Sequence, residues 1–327
     1  MKRIIYLDHN ATTPVNPEVL KAIIPFYKSQ YGNASSLHSK GREARNAVDK
    51  AREILGDFLG TEPEDIIFTS GGTESDNFAI KGTLFRNKDT GRDHIITSKI
   101  EHQAVLSTCK YLEKKGVRVT YVDVDKYGIV DLNQIKDSIA EKACLITIMH
   151  ANNEVGTIQP IKEIARIAKE KGVYFHTDAI QSFCKIPTGA KELGVDMLSI
   201  SAHKIYGPKG VGALYIRKGV KIEPYQHGGH HERSLRAGTE NVAGIVGLGK
   251  AVELLKEDYL QKAQRIQMLR DRLHKGLSEE IDELYLNGHP ELRLPNTLNL
   301  GFAYVEGESL LLNFDMKGIC VSTGSAC

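Results

Sequence analysis

Residues Ser199–Gly210 read SISAHKIYGPKG. An apolar run beginning at Asp196, DMLSIS, ends at Ser201, and a tight turn with Gly207, Pro208 and Gly210 follows. Between run and turn stand His203 and Lys204. A lysine delivered at a strand end, among small and polar residues, is placed for Schiff-base chemistry. In an ordinary surface turn it is a solvated cation, which is how Lys209 reads. The rest of the chain must decide between these two readings.

Other short apolar runs match the one before Lys204. They are Asp65–Ser70, Asp93–Ser98, Val117–Val122, Ala143–His150, Val173–Asp178 and Gly212–Arg217. All are rich in Ile, Val and Tyr and little interrupted by polar residues, the pattern of strands buried on both faces. Helical spacing appears between them at Thr73–Phe85, Gln103–Lys114 and Ile161–Lys171. The alternation predicts an α/β fold with a mostly parallel, seven-stranded sheet. After about residue 238 the pattern changes. A long helical stretch runs from Val242 to about Leu277, then LRLPNTLNLGF predicts a strand and ESLLLNFDMKG a short helix. This reads as a smaller second domain. The N-terminus is expected to join it, because the first helical segment, Pro17–Tyr27, lies far ahead of the first sheet strand.

In open α/β sheets, ligands gather beyond the carboxyl ends of the strands. The first run is followed by GGTESDN, where Gly71 and Gly72 permit close approach and Thr73 caps a helix, an anion site or a plain βα turn. No GK[ST] or GxGxxG pattern is present. His102 follows the second run, as a cap or a catalyst. Asn152, Asn153 and Glu154 follow the fourth, as turn formers or ligand donors. Asp178 closes a buried apolar run, where a carboxylate needs a cation, and Gln181 stands three residues on. Together these groups describe one ligand. Its anionic group suits Thr73, Ser201 and His203, its basic ring nitrogen Asp178, its aldehyde Lys204 and its flat face His102. Pyridoxal phosphate meets all four demands, and a nicotinamide or nucleotide has no use for Lys204.

Composition excludes several other classes. The chain has 327 residues, 41% of them hydrophobic, and a formal net charge of only +2. That is enough for a sizeable core and no sign of a nucleic-acid or membrane partner. No run approaches the ~18 apolar residues of a membrane span. MKRIIYLDHNATTP lacks an apolar h-region, so no secretory signal is expected. The five cysteines (Cys109, Cys144, Cys184, Cys320 and Cys327) form no CxxC pair, which points to a reducing, cytoplasmic setting. HGGHHER brings His227, His230 and His231 close together, but Gly228 and Gly229 argue against the helix that would aim them at one metal.

The segments YLDHNATTP, SGGTESDN, EHQAV, HANNEVGTIQP, HTDAIQS, SAHKIYGPKG, HGGHHERSLRAGTEN and STGSAC occur in this order from Tyr6 to Cys327. They resemble the cysteine desulfurases of the NifS/IscS type, in the first group, with the active cysteine on a long loop. The family lies within the fold type I pyridoxal-phosphate aminotransferase superfamily. The resemblance implies that Lys204 binds the cofactor and that Asp178 holds the pyridine nitrogen protonated. It implies that Gln181 bonds the phenolic oxygen and that Asn153 lies near the ring. Gly72, Thr73, Ser201 and His203 would hold the phosphate, with Thr239 reaching the neighbouring subunit's phosphate in a homodimer. His102 would stack on the ring and move protons. Cys327 would attack the sulfur of L-cysteine, leaving L-alanine and a persulfide on Cys327. Ser322–Ala326 would give that thiol its reach. An iron–sulfur scaffold protein or another acceptor would take the sulfur, and Cys327 is a candidate transient iron–sulfur ligand. One thiolate cannot hold a stable cluster.

The change of pattern divides the chain into a large cofactor-binding domain at 15–240 and a small domain at 1–14 and 241–327. Relatives continue for several tens of residues past the cysteine and there supply an arginine for the substrate carboxylate, so the small domain is expected to be incomplete. Ala34 stands where the family has Pro. Two other readings stay open: a different pyridoxal-phosphate enzyme, such as an aminotransferase or selenocysteine lyase, and a non-catalytic chain that only binds scaffold partners.

Overall fold

The computed structural model describes residues 4–324. In chain order the elements are β1 (Ile5–Tyr6), α1 (Pro17–Lys28), α2 (Ser39–Leu59), β2 (Ile66–Thr69), α3 (Gly72–Arg86), β3 (His94–Ser98) and α4 (Gln103–Glu113). Then come β4 (Arg118–Val122), α5 (Leu132–Ser138), β5 (Ala143–Thr147), α6 (Ile161–Lys171), β6 (Tyr174–Asp178), α7 (Ala190–Leu193), β7 (Met197–Ser201) and β8 (Gly212–Ile216). The remainder is α8 (Val242–Lys256), α9 (Tyr259–Glu280), β9 (Leu284–Leu286), β10 (Leu300–Phe302), α10 (Gly307–Met316) and β11 (Ile319–Cys320).

Neighbouring apolar residues in the central strands bury on opposite faces, as a two-residue period requires. Ile66, Phe68, Ile96, Ile146, Phe175, Leu198 and Tyr215 pack into one core with Leu55, Ile164 and Leu248. Ile67, Ile95, Leu145, Met197 and Leu214 pack into a second core with Phe78, Val105 and Leu112. Helices therefore cover both faces, and that is why these strands read as unbroken apolar runs. The sheet order is β2-β8-β7-β6-β5-β3-β4. Strand β8 is antiparallel to both of its neighbours, and the other pairings are parallel. All strands except β8 thus run the same way and end at one edge.

Each of the seven expected strands is present. The expectation at Ala143–His150 overshoots β5, yet the Ile148 and His150 amides still donate to the His176 and Asp178 carbonyls, at 3.2 and 2.8 Å. The helical stretch expected to run unbroken from Val242 to about Leu277 is two helices, divided at Glu257–Asp258. Its first half, α8, buries Ile245, Leu248 and Val252 in the same core as α2, so by packing it belongs with the large sheet. In LRLPNTLNLGF only Leu300–Phe302 is strand. The sequence reading passes over α2, whose Ala44, Val48, Ala51, Leu55 and Leu59 make a buried stripe at helical spacing. Outside the large sheet, β1 pairs in parallel with β11, joining the two ends of the described chain.

Two buried carboxyls pin loops near the site. Glu232 heads three consecutive residues with left-handed backbone, Glu232 (φ 43°), Arg233 (φ 55°) and Ser234 (φ 63°). Such a run is costly without glycine and persists only where its surroundings hold it. The hold is a two-pronged bond from Arg52 to Glu232, at 2.6 and 2.8 Å, with the Phe68 amide donating to the same carboxylate at 2.8 Å. Glu101, almost fully buried, accepts from the Ser98 hydroxyl at 2.6 Å and the Met149 amide at 2.9 Å. It thereby ties the turn after β3 to the chain leaving β5. Burial pushes its carboxyl up to about 8.

Glu232→Ala should destabilise the protein by about 3–5 kcal/mol, because the largely buried Arg52 loses its counter-charge, keeping only the Ile66 carbonyl, and the Phe68 amide loses its acceptor. Urea unfolding measures this, and a loss under about 1 kcal/mol would show that the ion pair does not hold the loop. Glu101 predicts a pH dependence. Between its ordinary value of 4.5 and about 8 the native state keeps a proton that the unfolded chain has lost. Stability should therefore fall as pH rises across that window. Glu101→Gln should flatten this part of the stability profile.

Candidate active site

The shared direction of the strands brings their carboxyl ends, and the segment after each, to one edge of the sheet. After β7 the chain makes a 3-10 turn, Ala202–Lys204. It places Lys204 in the interior, with only 3% of its surface exposed. A buried ammonium needs acceptors, and it has the backbone carbonyls of Asn10 and of Ala11, the latter at 2.7 Å. Gln181 reaches the same Asn10 carbonyl through Nε2 at 2.9 Å. The Asn10 side chain is itself held, accepting from Asn296 at 2.9 Å and donating to Thr297 at 3.1 Å. Asn153 joins this knot, its carbonyl accepting from Asn10 Nδ2 at 3.4 Å.

Asp178, at the end of β6, is buried and accepts from the Ile180 amide at 2.9 Å. Burial raises its carboxyl above the usual range, while that hydrogen bond and the charges of His102 and Lys204 pull the other way. Behind it, on α3, Asp76 is wholly buried, with no hydrogen bond to either carboxylate oxygen among the described residues. Burial, and then the charge of Asp178, push Asp76 well above the ordinary carboxylate range. Each carboxyl disfavours ionisation of the other, and Asp76 is the more strongly raised of the two. His176, 3.7 Å from Asp76, is driven down to about 3 by burial and is neutral.

Across the edge lies the anion side. Gly71 adopts φ 153°, ψ −178°, a conformation essentially reserved for glycine. It directs the chain into α3, whose N-terminus presents backbone amides. A Cβ on Gly72 would lie 2.0 Å from Ile180 Cδ1, so a side chain there would collide with the segment carrying Asp178. Gly72 also lies against Ser201. His203 Nδ1 engages the Thr12 hydroxyl at 3.1 Å. Burial, then the charge of Lys204, hold its imidazole down at about 4, so it is neutral at physiological pH. Thr73 and His102 line one open cleft of about 440 Å³. His102 caps α4, its Nδ1 accepting from the Ala104 amide at 3.1 Å, which leaves Nε2 to carry the proton.

Thr239 stands apart from the Thr73 cleft. It lines a second cleft of about 150 Å³ with Phe68, Ser70 and Arg236. Of the histidine triplet, His230 bonds Ser234 and His231 accepts from the Gly238 amide. Cys327 lies outside the described residues. Sequence reasoning missed the Asn10 and Ala11 carbonyls, Asp76, Glu101 and Lys185, whose Nζ donates to Gln181 Oε1 at 3.3 Å. Only Lys185 carried a local signal, as a lysine one helical turn past Gln181.

The donor set suits pyridoxal phosphate: a buried amine, a buried carboxylate, neutral hydroxyl and imidazole donors beside a helix N-terminus, and a histidine at the cleft. Comparison with known proteins agrees. The aminotransferase class-V family matches residues 5–327. A cysteine desulfurase IscS from Dictyoglomus turgidum is 55% identical over 327 residues, all of this chain and 83% of its own length. One from Methanosarcina thermophila is 54% identical over 325 residues, 99% of this chain and 80% of its own. A solved NifS-like protein superposes with a TM-score of 0.95 at 45% identity, covering 98% of this chain and 88% of that one. A structure described as SspA in complex with cysteine gives a TM-score of 0.86 at 39% identity, covering 100% and 90%. The chain belongs to the aminotransferase class-V family and, within it, to the cysteine desulfurases of the NifS/IscS type.

Proposed function

We propose that the protein is a pyridoxal-phosphate-dependent cysteine desulfurase that converts L-cysteine to L-alanine and a persulfide on Cys327. One observation carries the reading. The Lys204 amine and the Gln181 amide converge on a single carbonyl, that of Asn10, while the buried carboxyl of Asp178 closes β6 at the same edge of the sheet. These are the partners that an aromatic aldehyde with a basic ring nitrogen requires.

When bound, the cofactor supplies an electron sink for the substrate's Cα. The chain supplies the rest. Asp178 keeps a proton on the ring nitrogen. Gln181 donates to the phenolic oxygen. Gly72, Thr73, Ser201 and His203 bind the phosphate with neutral donors and the N-terminus of α3. The Lys204 amine anchors the cofactor and takes the proton from the substrate's Cα. His102 covers the ring and exchanges a proton through Nε2. The Cys327 thiolate attacks the substrate sulfur. A new S–S bond would form as the substrate's C–S bond breaks with its electron pair passing to Cβ; a proton delivered to Cβ, and the proton held by Lys204 returned to Cα, would then complete alanine.

The partners and setting belong to the same proposal. Thr239, in its own cleft, serves the phosphate of the other subunit of a homodimer. The sulfur goes to an iron–sulfur scaffold protein or another acceptor, and Cys327 is the transient point of transfer. Cysteines without a paired framework suit the cytoplasm, and no helix among the described residues is long and apolar enough to cross a membrane. The domain division at 15–240, with 1–14 and 241–327 forming the smaller unit, is supported by the pairing of β1 with β11. The packing of α8 argues for moving the second boundary past Lys256.

Cys327→Ala should abolish alanine release from cysteine while the visible band of the bound cofactor persists. Intact-protein mass spectrometry of the wild type after incubation with cysteine should show one added sulfur on Cys327. Undiminished alanine release from the variant would overturn the assignment. His102→Ala should lower kcat by about 10²–10⁴-fold with the cofactor retained. A change in KM alone would make His102 a binding group.

A further inference from the structure

Gln181 and Lys185 stand four residues apart in the turn after β6. The Ser182 and Phe183 amides donate to the Ala179 carbonyl at 3.1 and 2.8 Å, and the Lys185 amide donates to Ser182 at 3.0 Å. Cys184, buried, sits between them with φ 56°. Left-handed backbone is unfavourable for a residue with a Cβ, and it gathers where a site demands a particular side-chain placement. With Cys184 in this conformation, the half-buried Lys185 carries its amine to Gln181 Oε1 at 3.3 Å.

The Gln181 amide is therefore gripped at both ends. Its oxygen can only accept and its nitrogen can only donate. Lys185 donates, so it takes Oε1. The Asn10 carbonyl accepts, so it takes Nε2, at 2.9 Å. A flipped amide would set donor against donor and acceptor against acceptor. The line of contacts runs from Lys185 through Gln181 and the Asn10 carbonyl to Lys204.

We propose that Lys185 is a positioning residue of the cofactor site: by holding the Gln181 carbonyl it keeps the amide nitrogen turned toward the phenolic oxygen of pyridoxal phosphate. This rests on the cofactor assignment above and adds a second lysine to it. The titratable groups facing Lys185 are Lys204 and His203 from the turn after β7, His9 from the N-terminal segment, and Cys184 on its own turn. Burial, then repulsion from Lys204, bring its amine down to about 7. Charged or neutral, it still has a hydrogen to donate to Oε1, so the grip survives on both sides of that value.

The test is a pH titration of the visible band of the bound cofactor in the holoenzyme. That band reports the proton shared between the Lys204 nitrogen and the phenolic oxygen. A donor from Gln181 to the phenolic oxygen opposes that proton. Lys185→Met and Gln181→Ala should each raise the midpoint by about one pH unit, a tenfold gain in proton affinity. The double variant should move no further than either single one. Lys185→Arg, which keeps a donor, should stay near the wild-type midpoint. An unshifted midpoint in Lys185→Met, or additive shifts in the double variant, would overturn the role. Should Lys185→Met give no folded holoenzyme, Lys185→Arg decides alone, and a midpoint displaced there also overturns it. Failure of the wild type to take up the cofactor would be a separate result, against the cofactor assignment itself.

Discussion

The Lys204 ammonium rests on the carbonyls of Asn10 and Ala11, which come from the far end of the chain. A buried cation is stable only where acceptors are fixed around it, and much of the molecule serves to fix these two. The N-terminal segment is pinned by β1 pairing with β11 and by the Ser322 hydroxyl on Asp8. Thr13 donates to the His203 carbonyl at 2.9 Å, and Asn10 is held by Asn296 and Thr297. The cofactor site is thus assembled from the large sheet, the N-terminal segment and the C-terminal region together. None of the three holds Lys204 alone.

Electrostatics around this contact follow from burial. The interior disfavours charge, so most titratable groups near the sheet edge are neutral. Glu101 and Asp76 are pushed up, and His150, His176 and His203 are pushed down. Against that neutral background the few remaining charges act strongly, because little water screens them. Asp178 and Lys204 can therefore define where a ring nitrogen and an aldehyde belong. Neutral groups nearby supply hydrogen bonds without competing for the same counter-charges.

Sequence pattern singled out residues just past the strands, and the fold gathers the ends of those strands at one edge of the sheet. The inner strands were legible because both faces are buried, so most positions are apolar and the run stands out from its surroundings. Lys204, Asp178, His102 and Thr73 were legible because polar residues at the ends of such runs have few reasons to be there. Helix α2 was passed over because its stripe is built on Ala44, Val48 and Ala51 amid many charges, a weak contrast. The division at Glu257–Asp258 was invisible because helical periodicity continues across it, and only the packing of α8 against the large core separates the two helices.

Local pattern therefore determined the class of fold, the order of the strands along the chain and the chemical kinds of group at their ends, because short-range periodicity and burial impose those directly. Tertiary structure alone decided which groups meet. Strand order in the sheet, the antiparallel β8, the Asn10 and Ala11 carbonyls under Lys204 and the buried Asp76 on α3 near Asp178 all join atoms remote in sequence or carried by the backbone. Backbone carbonyls leave no trace in residue identity. A through-space contact between residues 10 and 204 exists only once the sheet and the chain's two ends have closed around it.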